Sequence, residues 1–304
     1  MRLRMMSDPS WDHTRAFLAA WRSGSFSGAA RTLGLAQPTV GRQLDALEAA
    51  LGLALFTRSP AGLVLTEAGA ALIPDALSME AAAEALVRAA SARPDKVEGV
   101  VRIAASEVVG GLVLPPILAS LRAQHPGLVF ELALSNRNED LLRRDADLAV
   151  RMTRPVQTGL FARKLGAVEV GLFAHAGYVK RHGLPATPAE LLSHPIIGFD
   201  RDDTAVRGLA GAQQFNRELF AYRCDNDLAQ IAALKAGFGI GGCQAPLAAR
   251  DPQLIRVLKD AFSFHLEMWL VAHEDLKTHR RVRAVLDHLG AQLPRYLRGE
   301  ALAE

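Results

Sequence analysis

Ser25-Phe26-Ser27-Gly28-Ala29-Ala30-Arg31-Thr32-Leu33-Gly34-Leu35-Ala36-Gln37-Pro38-Thr39-Val40-Gly41-Arg42-Gln43-Leu44 is the stretch on which the reading of the N-terminal part turns. Ser27 is a good helix N-cap type, and Ala29, Ala30 and Leu33 follow at helical spacing until Gly34 stops the run. Leu35-Ala36 leaves room only for a brief turn. Gln37-Pro38 then opens a second helix, because proline at the first helical position gives up an N–H that would be unpaired anyway. Val40, Leu44 and Leu47 at i, i+4 and i+7 give that helix one apolar face, which leaves Thr39, Arg42, Gln43 and Ala46 outward. Upstream, Phe17, Leu18 and Trp21 mark a further helix over Trp11 to Trp21.

Two short helices joined by a tight turn, the second with a small, polar outer face and one arginine, fit a helix-turn-helix. The same pattern also fits an ordinary helical hairpin. The next twelve residues favour the helix-turn-helix. Leu55-Phe56-Thr57-Arg58 and Leu63-Val64-Leu65-Thr66 are short β-prone runs around the turn-rich tip Ser59-Pro60-Ala61-Gly62, which makes a wing directly behind the second helix. Thr39 and Gln43 suit base edges, Arg42 suits guanine or phosphate, and Arg58 on the wing suits phosphate. The candidate DNA-contacting residues are Ser27, Arg31, Gln37, Pro38, Thr39, Gly41, Arg42, Gln43 and Arg58.

The charge distribution agrees. Net charge over the 304 residues is only +3, yet residues 1–66 carry seven arginines against four acidic residues and the remainder balances. All the excess positive charge lies where a polyanion contact would want it. Half of the residues are hydrophobic, ample for buried cores in the two or three domains expected of this length. No apolar run reaches the ~18–20 residues of a membrane span, and Met1 to Asp8 lacks the apolar core of a signal peptide, so a cytoplasmic protein with no membrane partner is expected. Cys224 and Cys243 form no CxxC pair, and the nine histidines show no ligand spacing, so neither a disulfide framework nor a metal is expected.

Phe17, Gly24-Ser25-Phe26, Ala29-Ala30, Leu33, Gln37-Pro38-Thr39-Val40, Arg42-Gln43-Leu44, Leu47-Glu48, Leu51-Gly52, Leu55-Phe56, Arg58 and Leu65-Thr66-Glu67-Ala68-Gly69 together resemble the N-terminal domain of the LysR-type transcriptional regulators, in order and without a gap over about sixty residues. One position departs: Gly41 stands where that family usually has serine, which removes a contact and costs a helix about 0.5–1 kcal/mol relative to alanine.

Glu67 to Ala92 is an alanine-rich helix that Thr66 can cap and Pro74 should kink. Its apolar residues, Leu72, Ile73, Leu77, Leu86 and Val87, are too spread to bury against a small winged domain, and the resemblance implies an antiparallel linker-helix dimer. Packing within its own chain is the alternative. Arg93-Pro94-Asp95-Lys96 serves as the hinge.

Beyond the hinge, strand and helix patterns alternate. Val100 to Ala104, Leu128 to Leu134 and Ala146 to Val150 read as strands, with helices at Leu112 to Arg122 and Glu139 to Arg144 between them. That βαβαβ order implies a parallel sheet. A second set has strands at Glu169 to Phe173, Pro195 to Phe199, Phe238 to Ile240 and His265 to Ala272, a helix at Leu228 to Ala236, and a terminal helix at Lys277 to Leu293. Asp145 to Arg151 and Ala233 to Leu247 resemble landmarks of the LysR effector domain.

The fold class is therefore α/β with an N-terminal all-α winged helix-turn-helix, a long linker helix and a two-lobed periplasmic-binding-protein-like effector domain. The expected boundaries are 1–66 for the DNA-binding domain, 67–96 for the linker and dimerisation helix with its hinge, and 97–304 for the effector-binding domain. Within the last, lobe I takes about 97–165 and 266–304, and lobe II about 166–265.

Ligands of such sheets bind beyond the carboxyl ends of strands. The candidates there are Ser106, Glu107, Val108, Asn136, Arg151, Phe199, Asp200 and Asn226, each equally readable as plain strand-end solvation. Glu107 at a helix N-terminus would repel an anionic effector unless Arg151 compensates, which points to a neutral or cation-bearing one. Gly237 to Gly242 contains a formal GxGxxG, but it ends a helix and enters a strand, the reverse of a dinucleotide site. No nucleophile–base pair converges, so no enzyme and no cofactor are expected. Against a peroxide sensor, the resemblance implies reactive cysteines nearer residues 196–215. Against a solute-binding protein stand the N-terminal domain and the missing signal peptide. The expected partners are double-stranded promoter DNA, a small-molecule effector whose closure of the lobes modulates promoter binding, and further copies of the chain, dimeric through the linker helix and assembled into a homotetramer.

Overall fold

Small and apolar residues alternate at helical spacing through the first fifty positions, and three helices result: α1 (Trp11–Ser23), α2 (Phe26–Leu33) and α3 (Gln37–Leu51). In this computed structural model, which describes residues 10–59, 62–90, 96–136, 146–155, 160–201, 216–274 and 279–302, they enclose a core of Phe17, Leu18, Ala29, Val40, Leu44 and Leu47. Each helix ends on a left-handed glycine, Gly24, Gly34 and Gly52. The N-cap of α2 is Ser25, which accepts from Gly28 N–H at 3.1 Å, and not the expected Ser27, which lies inside the helix and is exposed. The reason is local: α1 runs on through Ser23 and Gly24 turns the chain, so Ser25 is the residue left to cap the next helix.

The wing comes next as β1 (Phe56–Ser59) paired antiparallel to β2 (Gly62–Leu65). Glu48 of α3 ties it down, its Oε1 accepting from Leu55 N–H at 2.6 Å and Phe56 N–H at 3.3 Å. Gly62 must lack a side chain: its φ is +116°, and a Cβ would stand 2.6 Å from the Gly24 carbonyl oxygen. Helix α4 (Glu67–Ala90) starts where expected, with Thr66 Oγ1 accepting from Gly69 N–H at 2.9 Å, and Pro74 lies within it. Its first half behaves otherwise than expected. Ala76 is buried in the winged core, and Leu72, Ile73 and Leu77 pack against it, while Arg22 of α1 makes two hydrogen bonds to Glu80 at 2.7 and 2.6 Å. Further along, Ala81 is still buried, but Leu86 is 72% and Val87 69% exposed. This unit reaches to Ala90, and nearly everything after it forms a second one.

The second unit is built on a nine-stranded sheet. β3 (Gly99–Ala105), β4 (Leu128–Leu134) and β5 (Leu148–Arg151) are mutually parallel through β3, as the alternation implied, with a π-helical turn at Val109–Val113 leading into α5 (Leu114–Gln124). The expected helix at Glu139 to Arg144 lies outside the described residues. The all-parallel reading ends at β6 (Leu160–His175), which is sixteen residues long where only five were expected. Helices α6 (Ala176–His182) and α7 (Pro188–Leu191), strands β7 (Ile196–Gly198) and β8 (Phe220–Arg223), α8 (Asp227–Lys235), β9 (Ile240–Gln244), α9 (Ala245–Ala248) and β10 (Leu254–Val257) make the second lobe. β11 (Ser263–His273) returns antiparallel to both β5 and β6, and α10 (Arg280–Leu297) closes lobe I.

β6 and β11 therefore run through both lobes and hold them to one another. Their register shifts between Met268 and Trp269, opposite Gly166 at φ +144°, so the paired strands change direction at that point. The reason the sequence hid this is that β6 begins Leu160-Phe161-Ala162-Arg163-Lys164, whose two adjacent charges break any simple alternation. Lobe I has its own core, with Ile103, Ile117, Leu148, Met268, Leu289 and Tyr296 fully or almost fully buried. Lobe II has two smaller ones, around Phe173, Ile231 and Leu234 and around Tyr178, Leu191 and Ile240.

Candidate nucleic-acid interface and inter-lobe cleft

Helix α3 presents Gln37, Pro38 and Arg42 to solvent, with Thr39, Gln43 and Ala46 half-buried beside them. The outward face is thus narrower than expected: Gln43 has its amide oxygen enclosed by the protein without a hydrogen bond. Arg42 Nη2 lies 3.5 Å from Thr39 Oγ1, a contact long enough to be released at no great cost. Nothing lies within 4 Å of where a Cβ at Gly41 would stand, so the helix surface has a gap there between Pro38 and Arg42. Arg31 on α2 and Ser27 are exposed on the preceding helix. Of the other arginines in this unit, Arg22 is held by Glu80 and Arg15 stands 3.9 Å from Asp12. The side chain of Arg58 lies outside the described residues.

In the second unit the carboxyl ends of β3, β4 and β5 converge as the sequence implied, and they face the N-terminus of α8. The π-helical turn after β3 brings Gly111 against Leu228, leaving 3.0 Å between a Cβ there and two Leu228 methyls, and Leu112 packs into a lobe II core. Glu107 lies between these elements. Its Oε2 accepts from the backbone N–H of Asp227, the first residue of α8, at 2.7 Å. Asn136, at the end of β4, joins both: its Oδ1 accepts from Glu107 N–H at 3.1 Å and its Nδ2 donates to Asp227 Oδ2 at 3.0 Å. Glu107 thus serves the helix N-terminus of the opposite lobe, not the one just after β3 in its own.

The remaining candidates divide. Ser106 carries an enclosed hydroxyl that makes no hydrogen bond among the described residues, and Val108 is buried beside it. Arg151 is only 3% exposed and donates through Nη1 to the Ser135 carbonyl at 2.9 Å, which braces the β4 end. Asn226 caps α8, its Oδ1 accepting from Ala229 N–H at 2.8 Å. Asp200 pairs with Arg217 at 2.6 Å, while its own N–H donates to Asp225 Oδ1 at 2.8 Å. Phe199 is half-buried next to it. Asp227 and Asp225 were missed, and the only signal for Asp227 was its place after the capping asparagine. Burial pushes the Cys243 thiol up to about 12, so it stays protonated, and Cys224 sits half-buried at the end of β8.

The chain matches the family described as bacterial regulatory helix-turn-helix protein, lysR family, over residues 11–70, and the LysR substrate binding domain over residues 94–294. It is 26% identical over 280 residues to the probable HTH-type transcriptional regulator LtrA of Klebsiella pneumoniae, a match covering 89% of this chain and 91% of that one. CrgA of Neisseria meningitidis, described as a LysR-type transcriptional regulator, superimposes with a TM-score of 0.58 at 26% identity, over 92% of this chain and 97% of that chain. Full-length CbnR, crystallised in complex with its target DNA, shares the fold with a TM-score of 0.63 at 22% identity, over 92% and 98% of the two chains.

Proposed function

This chain belongs to the LysR family of DNA-binding transcription regulators with an effector-binding domain, and from that premise we propose how its own residues divide the work. Helix α3 reads the operator through Gln37, Pro38, Thr39, Arg42 and Gln43, with Gly41 leaving a gap in that face. Ser27, Arg31 and the wing residue Arg58 hold the phosphates that set its register. Two chains act together through the far end of α4, where Leu86 and Val87 have no cover in the single chain, and dimers assemble further into a tetramer. The protein works in the cytoplasm and catalyses no reaction.

The effector binds where β3, β4 and β5 end against α8, next to Ser106. The single observation that carries this is the enclosed, unsatisfied Ser106 hydroxyl, since a buried polar group without a partner costs about 1–3 kcal/mol and a ligand relieves it. Glu107, Asp225 and Asp227 line the same rim, so a neutral or cation-bearing molecule is favoured over a dianion. DNA binding, linker and effector domain then occupy 1–66, 67–96 and 97–304.

Gel-shift titration with the region upstream of the protein's own gene tests the DNA-binding assignment. We expect binding of two chains per site with a steep loss of affinity as salt rises, and an Arg42→Ala variant that binds more weakly with a salt slope shallower by about 1 if Arg42 holds a phosphate. An Arg42→Ala protein that binds like the unaltered chain would remove α3 from the interface as assigned.

A further inference from the structure

Besides the strands β6 and β11, hydrogen bonds among the described residues join the two lobes of the second unit. On one side Tyr296 of α10 donates to Gln244 Oε1 at 2.6 Å, with both residues buried. On the other side the contact is made by Glu107, across 120 residues of sequence. We propose that Glu107 is an internal latch for the cleft: a lobe I carboxylate seated on the α8 N-terminus of lobe II, in the position that an anionic ligand would otherwise take.

Three features of the geometry carry this. The first N–H groups of a helix lack intrahelical partners and carry the positive end of its dipole, so they attract a carboxylate. Asn226 satisfies Ala229 N–H, and Glu107 satisfies Asp227 N–H at 2.7 Å, a distance typical of a charge-assisted bond. Asp227 would repel that carboxylate, and Asn136 offsets the repulsion by donating to Asp227 while accepting from the Glu107 backbone. Finally, a Cβ at Gly111 would stand only 3.0 Å from two Leu228 methyls, so the two lobes already approach closely alongside and the latch does not bridge a gap. A molecule entering at Ser106 must either lie beneath Glu107 or displace it. The latch thereby restricts the charge of the effector, because an anionic group would have to compete with Glu107 for the same N–H.

The inference rests on reading this cleft as the effector site, but its test reads carboxylate binding and backbone protection, not operator binding, so the two can fail separately. Full-length protein is compared with Glu107→Ala, Glu107→Gln and Asn136→Ala by amide hydrogen exchange, with sodium acetate or sodium chloride at equal ionic strength. In Glu107→Ala we expect exchange at Asp227 to rise at least roughly tenfold, as for loss of one charge-assisted hydrogen bond, and acetate to restore protection saturably. Glu107→Gln should lose part of the protection and, with its position still filled, gain nothing from acetate. Asn136→Ala and the unaltered chain should also ignore acetate. Unchanged exchange at Asp227 in Glu107→Ala, or protection by acetate equal in the unaltered chain, would overturn the proposal. If Glu107→Ala does not fold, the loss of protection in Glu107→Gln decides it: full protection there overturns the latch.

Discussion

Arg281 sits in the first turn of α10 with 3% of its surface exposed, and neither Nε nor Nη1 finds a hydrogen bond among the described residues. Its stem passes over Gly99, 3.7 Å from where a Cβ there would stand. A positive charge in this place is unfavourable twice: it is desolvated with no counter-charge among the described residues, and it lies at the positive end of a helix dipole. Replacement by an apolar residue of similar length should therefore stabilise the protein. We expect Arg281→Met to raise the unfolding free energy by about 1–2 kcal/mol, within the range seen when buried charges give way to apolar side chains. Urea denaturation measures it, and a lowered midpoint would show that Arg281 is paired in solution. Arginines could be counted in the sequence, but that Arg22 is held by Glu80 and that Arg281 is buried on α10 could not, because the groups that enclose each are remote in the chain.

Helix α3 shows what an element adds to its residues. Gly41 lies in its interior, its backbone is helical, and the space outside is open. Gly41→Ala should consequently stabilise the N-terminal unit by about 0.5–1 kcal/mol, without steric cost, since alanine restricts the unfolded chain and glycine does not. Thermal unfolding of that unit checks this, and a drop in midpoint would mean that the helix is bent at Gly41. Elements with a strong period were legible: α1, α3 and α10 were each expected within a few residues, and Thr66 was correctly named as the α4 cap. Several short elements were not, although β1, β2, β5 and β7 were expected from β-prone runs. α6, α7, α9, β8 and β10 hold between four and seven residues each, too few for a periodic pattern to stand out.

At the scale of the whole effector unit, what matters is the charge that two lobes assemble between them. Glu107 and Asn136 from one lobe meet Asp227 from the other, with Asp225 nearby on the same lobe II edge. At the α8 N-terminus Glu107 already holds the Asp227 N–H and Asn226 the Ala229 N–H. Titration of the full chain with a panel of small acids and amines, followed by thermal shift, should show no saturable stabilisation by dicarboxylates. Tight binding of a dianion would refute the charge assignment of the cleft. Stabilisation by a bound ligand grows with the logarithm of its concentration over Kd, so even a micromolar ligand at about 100-fold excess over Kd is visible at about 2.7 kcal/mol.

By itself the amino-acid sequence determined the family, the helix-turn-helix with its wing, the linker helix and the α/β character of the C-terminal two thirds. These rest on local periodicity, on capping and turn residues, and on motif spacing, all of which act over a few positions. The tertiary structure alone decided that the first half of α4 is docked on the winged core, that β6 and β11 run through both lobes in a mixed sheet, and that Arg151 is a buried brace. It decided the role of Glu107 as well. Its neighbours in sequence placed it at one helix N-terminus, whereas packing of Gly111 on Leu228 brought it to another, because the partner of a carboxylate is chosen by where the folded chain delivers an unpaired N–H.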